Sequence, residues 1–180
     1  MSRLFGAVRQ NGYVVPDIEA AMRHWVEVLG VGPWFAIGEL PLREAIYRGR
    51  PTDARASIAL ANSGDLQIEL IEPLNDAPSP YGDFLADCPT GGLHHLSSWP
   101  DGAAYDAALE RFTAGGGEVV LSGRVGGTRL AYLDTQAHLG SMFEMAALDD
   151  LSIRLFTAIR AAADCWDGGE PIRRSWPELD

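Results

Sequence analysis

Apolar and polar positions alternate without a break through Leu66-Gln67-Ile68-Glu69-Leu70, and Ile71 follows. A period of two is that of a strand, so Leu66, Ile68 and Leu70 share one face and Gln67, Glu69 and Ile71 the other. Gly64-Asp65 precede the run and Pro73 ends it. A second strand is predicted from Leu4 to Val15, closed by Pro16-Asp17. The period then changes. Ile18, Ala21, Met22, Trp25, Val28 and Leu29 recur at helical spacing, with Asp17 as N-cap and Gly30 as terminator. Trp34–Ile37, Ala45–Arg48 and Ser57–Ala61 read as strands, separated by turns around Pro41, Gly49 and Pro51. A loop from Pro73 to Pro80 leads into a helical turn at Tyr81–Leu85.

The same order then repeats. Leu93–Trp99 is strand-like and runs into Pro100-Asp101, as the first strand runs into Pro16-Asp17. Ala104, Tyr105, Ala108, Leu109 and Phe112 form a second helical stripe, stopped by Gly115-Gly116-Gly117. Strands are predicted at Glu118–Leu121, Thr128–Asp134 and Ser141–Ala147. Two strand-helix-three-strand units thus stand in tandem, offset by about 85 residues. A last helix follows Asp149-Asp150, carries Leu151, Leu155, Ala158, Ile159, Ala162 and Trp166, and ends at Gly168-Gly169 before an extended tail. It covers a core edge or joins a dimer interface; the pattern leaves both open.

Each unit places one polar residue in its first strand and one in its last: Gln10 and Glu69, then His95 and Glu144. A single polar residue in a strand is ordinarily a solvent-facing pleat. Four at equivalent positions, two of them carboxylates among apolar neighbours, need a common reason, because a buried carboxylate must be paired, solvated or bound to a metal. All four can donate oxygen or nitrogen to a divalent cation, and thiolates are missing from the set.

The tandem units and these positions resemble the vicinal oxygen chelate superfamily, which includes glyoxalase I, methylmalonyl-CoA epimerase, extradiol dioxygenases and antibiotic-binding resistance proteins. Val14-Val15-Pro16-Asp17-Ile18 is similar to that family's first strand-to-helix junction, and Glu69–Asp76 with Gly92-Leu93-His94-His95 looks like the epimerase branch. The likeness covers residues 4 to 147. It implies an α+β fold in which two βαβββ modules, residues 4–73 and 92–147, form a curved mixed sheet around a metal-binding cavity. The modules make one domain over residues 1–150, with residues 151–180 as an added helix and tail.

The resemblance further implies Gln10, Glu69, His95 and Glu144 as ligands of one divalent ion (nickel, cobalt, manganese, zinc or iron). It implies Glu144 as first candidate for the catalytic base and Glu69 as second. The expected activity is that of a metal-dependent lyase or isomerase that removes a proton alpha to a carbonyl, on a small-molecule substrate such as a thioester or thiol adduct. The expected assembly is a homodimer.

Two features depart from the pattern. Epimerases carry a further glutamate on the strand before Glu69, whereas Ala56–Ala61 holds no acid. Against glyoxalase I, no set of arginines stands out for glutathione carboxylates; Arg43, Arg48, Arg50 and Arg129 are candidate anion contacts, each equally a surface residue. The alternatives are a metal-free binding or resistance protein whose cavity is lined by Trp34, Tyr47, Trp99 and Met142, and an extradiol-type dioxygenase, which Gln10 disfavours because that iron site needs two histidines. His94 should point away from His95 as a structural residue, His24 should be solvated, and His138 is a weaker candidate for a substrate contact.

Composition narrows the classes. The chain has 180 residues, 47% of them hydrophobic and 22% charged, as expected of a globular protein. A net charge of -11 opposes nucleic-acid and anionic-membrane partners. No apolar run approaches the ~20 residues of a membrane span, and no signal-peptide core follows the N-terminus. The expectation is therefore a cytoplasmic protein with Cys88 and Cys165 reduced.

Overall fold

The computed structural model describes residues 2–179, the side chains of His138 and Leu139 excepted. The strands are β1 (Val8–Val14), β2 (Trp34–Leu40), β3 (Arg43–Tyr47), β4 (Arg50–Pro51), β5 (Ala56–Ser63), β6 (Leu66–Pro73), β7 (Gly92–Ser98), β8 (Val119–Val125), β9 (Thr128–Leu133), β10 (Met142–Ala147) and β11 (Ile172–Arg173). The helices are α1 (Ile18–Leu29), α2 (Pro80–Asp87), α3 (Gly102–Ala114), α4 (Gln136–Leu139) and α5 (Asp150–Asp164). All the strands join one mixed sheet in the order β11-β2-β5-β6-β1-β7-β10-β9-β8-β3-β4. The α+β class and the curved sheet are as expected.

The repeat is visible in the pairing. β1 pairs parallel with β6, β7 pairs parallel with β10, and β1 and β7 join antiparallel at the centre. One expectation is corrected here. The Ala45–Arg48 strand belongs in sequence to the first unit, but as part of β3 it pairs with β8 at the edge of the second. β11 from the tail covers β2 in the same way. The sheet therefore ends in the two-residue strands β11 and β4, and short edge strands limit the open ladders that favour aggregation.

The helix caps follow the sequence. Asp17 accepts from the Ala20 amide at 2.8 Å, and Gly30 takes the left-handed conformation that ends α1. Asp101 accepts from Ala104 at 2.9 Å and Asp149 from Ser152 at 2.8 Å. The α1 stripe is narrower than predicted: Ile18 and Met22 are buried, but Val28 and Leu29 at its end are exposed and Val26 packs inward instead. α5 stops at Asp164, short of Gly168.

Alternation along the strands divides the core. On one face, α1 packs on Trp34, Ala36, Ala59, Ile68 and Leu70, and α3 on Ala131, Leu133, Phe143 and Met145. On the other face α2 and α5 occupy opposite ends. α2 brings Tyr81 against Val14, Ile71, Tyr132 and Met142, while α5 brings Leu155, Phe156 and Ile159 against Phe35, Ile58 and Leu60. A cavity is left between them. Trp34, Tyr47 and Met142, expected in its wall, instead fill the core, and of the four aromatic and thioether candidates Trp99 lines it. No helix among the described residues is long and apolar enough to cross a membrane, and Cys88 and Cys165 are free and exposed.

Candidate functional site

Gln10, Glu69, His95 and Glu144 come from β1, β6, β7 and β10, four neighbouring strands at the middle of the sheet. Registers bring them level: Gly12 pairs with both Glu69 and His95, and Gln10 pairs with Gln67 on one side and Ser97 on the other. Gln10, Glu69 and Glu144 line a cavity of about 240 Å³. His95 forms the base of this group and is fully buried.

The His95 Nε2 atom lies 3.5 Å from a Glu69 oxygen and 3.6 Å from a Glu144 oxygen, and it has no hydrogen-bond partner. Its ring fits because Gly12 carries no side chain: a Cβ there would fall inside the imidazole. On the other side of that ring the Tyr132 ring lies 4.8 Å away, centroid to centroid. Gln10 donates from Nε2 to Gln67 Oε1 at 2.8 Å within the protein interior, which leaves its own carbonyl oxygen free.

The charges are strongly perturbed. Burial works against an imidazolium at His95, but Glu69 and Glu144 outweigh it and the net shift of its pKa is upward. Burial raises the Glu144 pKa, and the neighbouring Glu69 carboxylate adds to that while His95 opposes it. Two carboxylates around one buried imidazole carry more negative charge than a single proton can offset.

His94 corrects the expectation of a residue turned away. Gly12 pairs with His95 but Tyr13 pairs with Leu93, so β7 has one extra residue at His94. A bulge of this kind breaks the alternation and re-aims the side chain. The two Nδ1 atoms consequently meet at 3.0 Å. The His94 ring packs against Tyr81, Phe84 and Tyr132, and burial with the adjacent His95 pulls its pKa down to about 3.

Further residues join the site without having been singled out. Gln67 is one, although its place on the Glu69 face was readable from alternation. Tyr81 and Tyr132 are two more: their hydroxyls lie 3.1 Å apart, and both residues line a small hollow with Glu69 and Glu144. Burial raises both phenol pKa values, keeping the hydroxyls protonated. Leu151, Ser152, Leu155 and Phe156 of α5, with Trp176 of the tail, close the cavity from above. Arg43, Arg48, Arg50 and Arg129 do not line it: Arg48 pairs with Asp83 and Arg129 with Asp106. His24 is exposed, as expected. The expectation for His138 falls outside the described side chains.

Among the described residues no three His, Cys, Asp or Glu side chains form a ready-made metal cage. The donor set nevertheless fits a divalent ion. An unpartnered imidazole nitrogen, two carboxylates drawn toward it and a free amide oxygen are the oxygen and nitrogen donors that borderline divalent metals take.

Comparison with known proteins agrees with the architecture. Methylmalonyl-CoA epimerase from Mycobacterium tuberculosis superposes with a TM-score of 0.57 at 19% identity, over 85% of this chain and 95% of that one. A hypothetical protein from Bacillus halodurans C-125 gives 0.53 at 17%, over 80% and 95%. A Streptomyces coelicolor methylmalonyl-CoA epimerase variant in complex with 2-nitronate-propionyl-CoA gives 0.53 at 20%, over 78% and 92%. At these identities the likeness is one of fold. A comparison with curated proteins finds no match. The family model of the glyoxalase/bleomycin resistance protein/dioxygenase superfamily matches residues 9–132, well over half of the sequence. The chain therefore belongs to the glyoxalase/bleomycin resistance protein/dioxygenase superfamily.

Proposed function

We propose that this protein is a divalent-metal-dependent lyase or isomerase that moves a proton on the carbon next to a carbonyl. The observation that supports this best is the unpartnered Nε2 of His95, held between the Glu69 and Glu144 carboxylates at the base of the cavity. Gln10, Glu69, His95 and Glu144 would hold the ion. When bound, such an ion acts as a Lewis acid toward a carbonyl or enediolate oxygen.

The chain's own residues do the rest. Glu144 is the proposed base, since burial raises its proton affinity and its carboxylate reaches the cavity. Glu69, on the other side of His95, would return the proton or receive it from the opposite face. Gly12 gives His95 its place, and Gln67 fixes the Gln10 amide so that its oxygen is the atom left available. The Tyr81–Tyr132 pair keeps two neutral hydroxyls beside the carboxylates, and α5 with Trp176 covers part of the cavity. Residues 1–150 are proposed to form the catalytic domain, residues 151–180 to complete its cavity, and the protein to act as a homodimer.

Hydrogen–deuterium exchange tests the reaction. Metal-loaded protein is incubated in D2O with α-keto thiol adducts, both charged and uncharged, and with acyl-CoA thioesters, and loss of the alpha proton is followed by NMR. Exchange that disappears in Glu144→Gln supports the proposal. No exchange with any substrate by a metal-loaded protein contradicts it, and would favour a binding protein with the same cavity.

A further inference from the structure

The wall of the cavity limits what can enter it. Its volume is about 240 Å³. Beyond Gln10, Glu69 and Glu144 the lining is largely apolar, including Leu60, Leu130, Leu155, Phe156 and Trp176. Asp149 also reaches it, but its carboxylate already accepts from the Ser152 and Gly127 amides. No Arg, Lys or His is among the described lining residues. Among the nearby guanidinium groups, Arg124 lies next to Val125 and so on the opposite face of β8, bonded to the Gly127 carbonyl, Arg129 is held by Asp106, and Arg173 lies over the Phe35 ring.

On the far side of Trp99 and Phe156 the picture changes. These rings pack with centroids 5.0 Å apart, and both also line a neighbouring surface hollow that holds Arg9 and Arg160 together with Asp65 and Asp101. The two rings and Leu148 are the residues common to both spaces, so they form the partition between them. Arg160 is tied to Asp65 and Asp164.

From this arrangement we infer that the substrate is a small, uncharged oxygen chelate with an apolar arm, and that Phe156 is the residue that keeps anionic arms out. This rests on the metal-dependent reading of the site and narrows its substrate class. Two carboxylates are matched by a divalent ion, and a further anion inside the cavity would meet no positive partner. An anion left unpaired in an apolar wall is strongly disfavoured. A coenzyme A arm is too long to stay inside, and none of the lining side chains would neutralise its phosphates. α5 and the tail, outside the matched family segment, supply the roof that imposes this restriction.

Three probes with one chelating head test the inference: benzohydroxamate, its para-carboxylate and its para-phosphonate. Each is titrated into the full-length protein loaded with cobalt, with the visible spectrum of the ion as readout. Metal uptake is measured first. Protein that takes up no cobalt removes the underlying metal reading and the inference together. With cobalt bound, benzohydroxamate is expected to bind about tenfold or more tightly than either anionic probe. Equal or tighter binding of the anionic probes overturns the substrate class while leaving the metal site intact. In Phe156→Ala, checked by circular dichroism for an intact fold, the arm can pass toward Arg9 and the discrimination should shrink several-fold. A discrimination unchanged in that folded variant removes Phe156 from the role.

Discussion

The Nδ1 atoms of His94 and His95 lie 3.0 Å apart, within hydrogen-bond distance, although the two are consecutive residues of one strand. One of the two nitrogens must carry the hydrogen and the other accept it. If His95 donates, its Nε2 keeps a lone pair directed between Glu69 and Glu144, as a metal ligand requires. If His94 donates, Nε2 carries the proton and cannot ligate. A neutral His95 that donates to His94 is thus the tautomer able to ligate, and His94 as acceptor would favour it, in the way that outer partners orient metal-ligating histidines.

His94→Phe fills the same space among Tyr81, Phe84 and Tyr132 but cannot accept that hydrogen bond. The expected result is a metal dissociation constant raised about 10- to 100-fold with the fold retained. Titration calorimetry with cobalt or nickel checks it, and an unchanged affinity would show that the tautomer is set otherwise.

Gly12→Ala puts a methyl group where the His95 ring stands. The ring or β1 has to shift, at a cost of about 1–3 kcal/mol for overpacking a close-packed interior. Stability to urea should fall by that amount and metal affinity should fall with it. A variant as stable as the parent would mean that the ring has room to move.

Asp149 caps α5 and also accepts from the Gly127 amide at 2.9 Å, tying the roof helix to the β8–β9 turn. Asp149→Ala should lose about 1–2 kcal/mol. The sign of its pH dependence follows from the bonds to Ser152 and Gly127, which lower the carboxyl pKa from its usual 3.8. Its contribution is complete above the unfolded-state value and fades as pH falls through the lower folded-state value. The difference in melting temperature between the two proteins should hold steady from about pH 5 to 8 and narrow below about pH 4. A gap that widens in acid would contradict this assignment.

Glu144→Gln keeps the shape of the proposed base and removes its ability to take a proton. Turnover should drop about 100- to 10,000-fold with secondary structure unchanged. Near-normal turnover would transfer the role to another group, with Glu69 first in line.

The four central polar residues were legible because strand alternation is strict, and because each of them recurs at the same place in two units. Caps at Asp17, Asp101 and Asp149 were legible for a local reason as well: a side-chain oxygen meets free amides within one turn. What was hidden depended on pairing. Nothing in Leu93-His94-His95 marks a bulge, which exists only against Gly12 and Tyr13 of β1. The crossing of β3 to β8 and the approach of Tyr132 to Glu144 are likewise products of register. The apolar stripe of α5 announced that the helix would be buried on one side, but Phe35 and Leu60, which receive it, look in sequence like any other strand residues.

The central claim is that Gln10, Glu69, His95 and Glu144 hold a divalent ion, and elemental analysis addresses it most directly. Protein is purified without added metal or chelator, and metal is counted per chain in the parent and in Glu69→Ala. About one divalent transition-metal ion per chain is expected in the parent, and its loss in the variant. A parent that contains none and takes up none when nickel, cobalt, manganese, zinc or iron is added, while remaining folded, would contradict it.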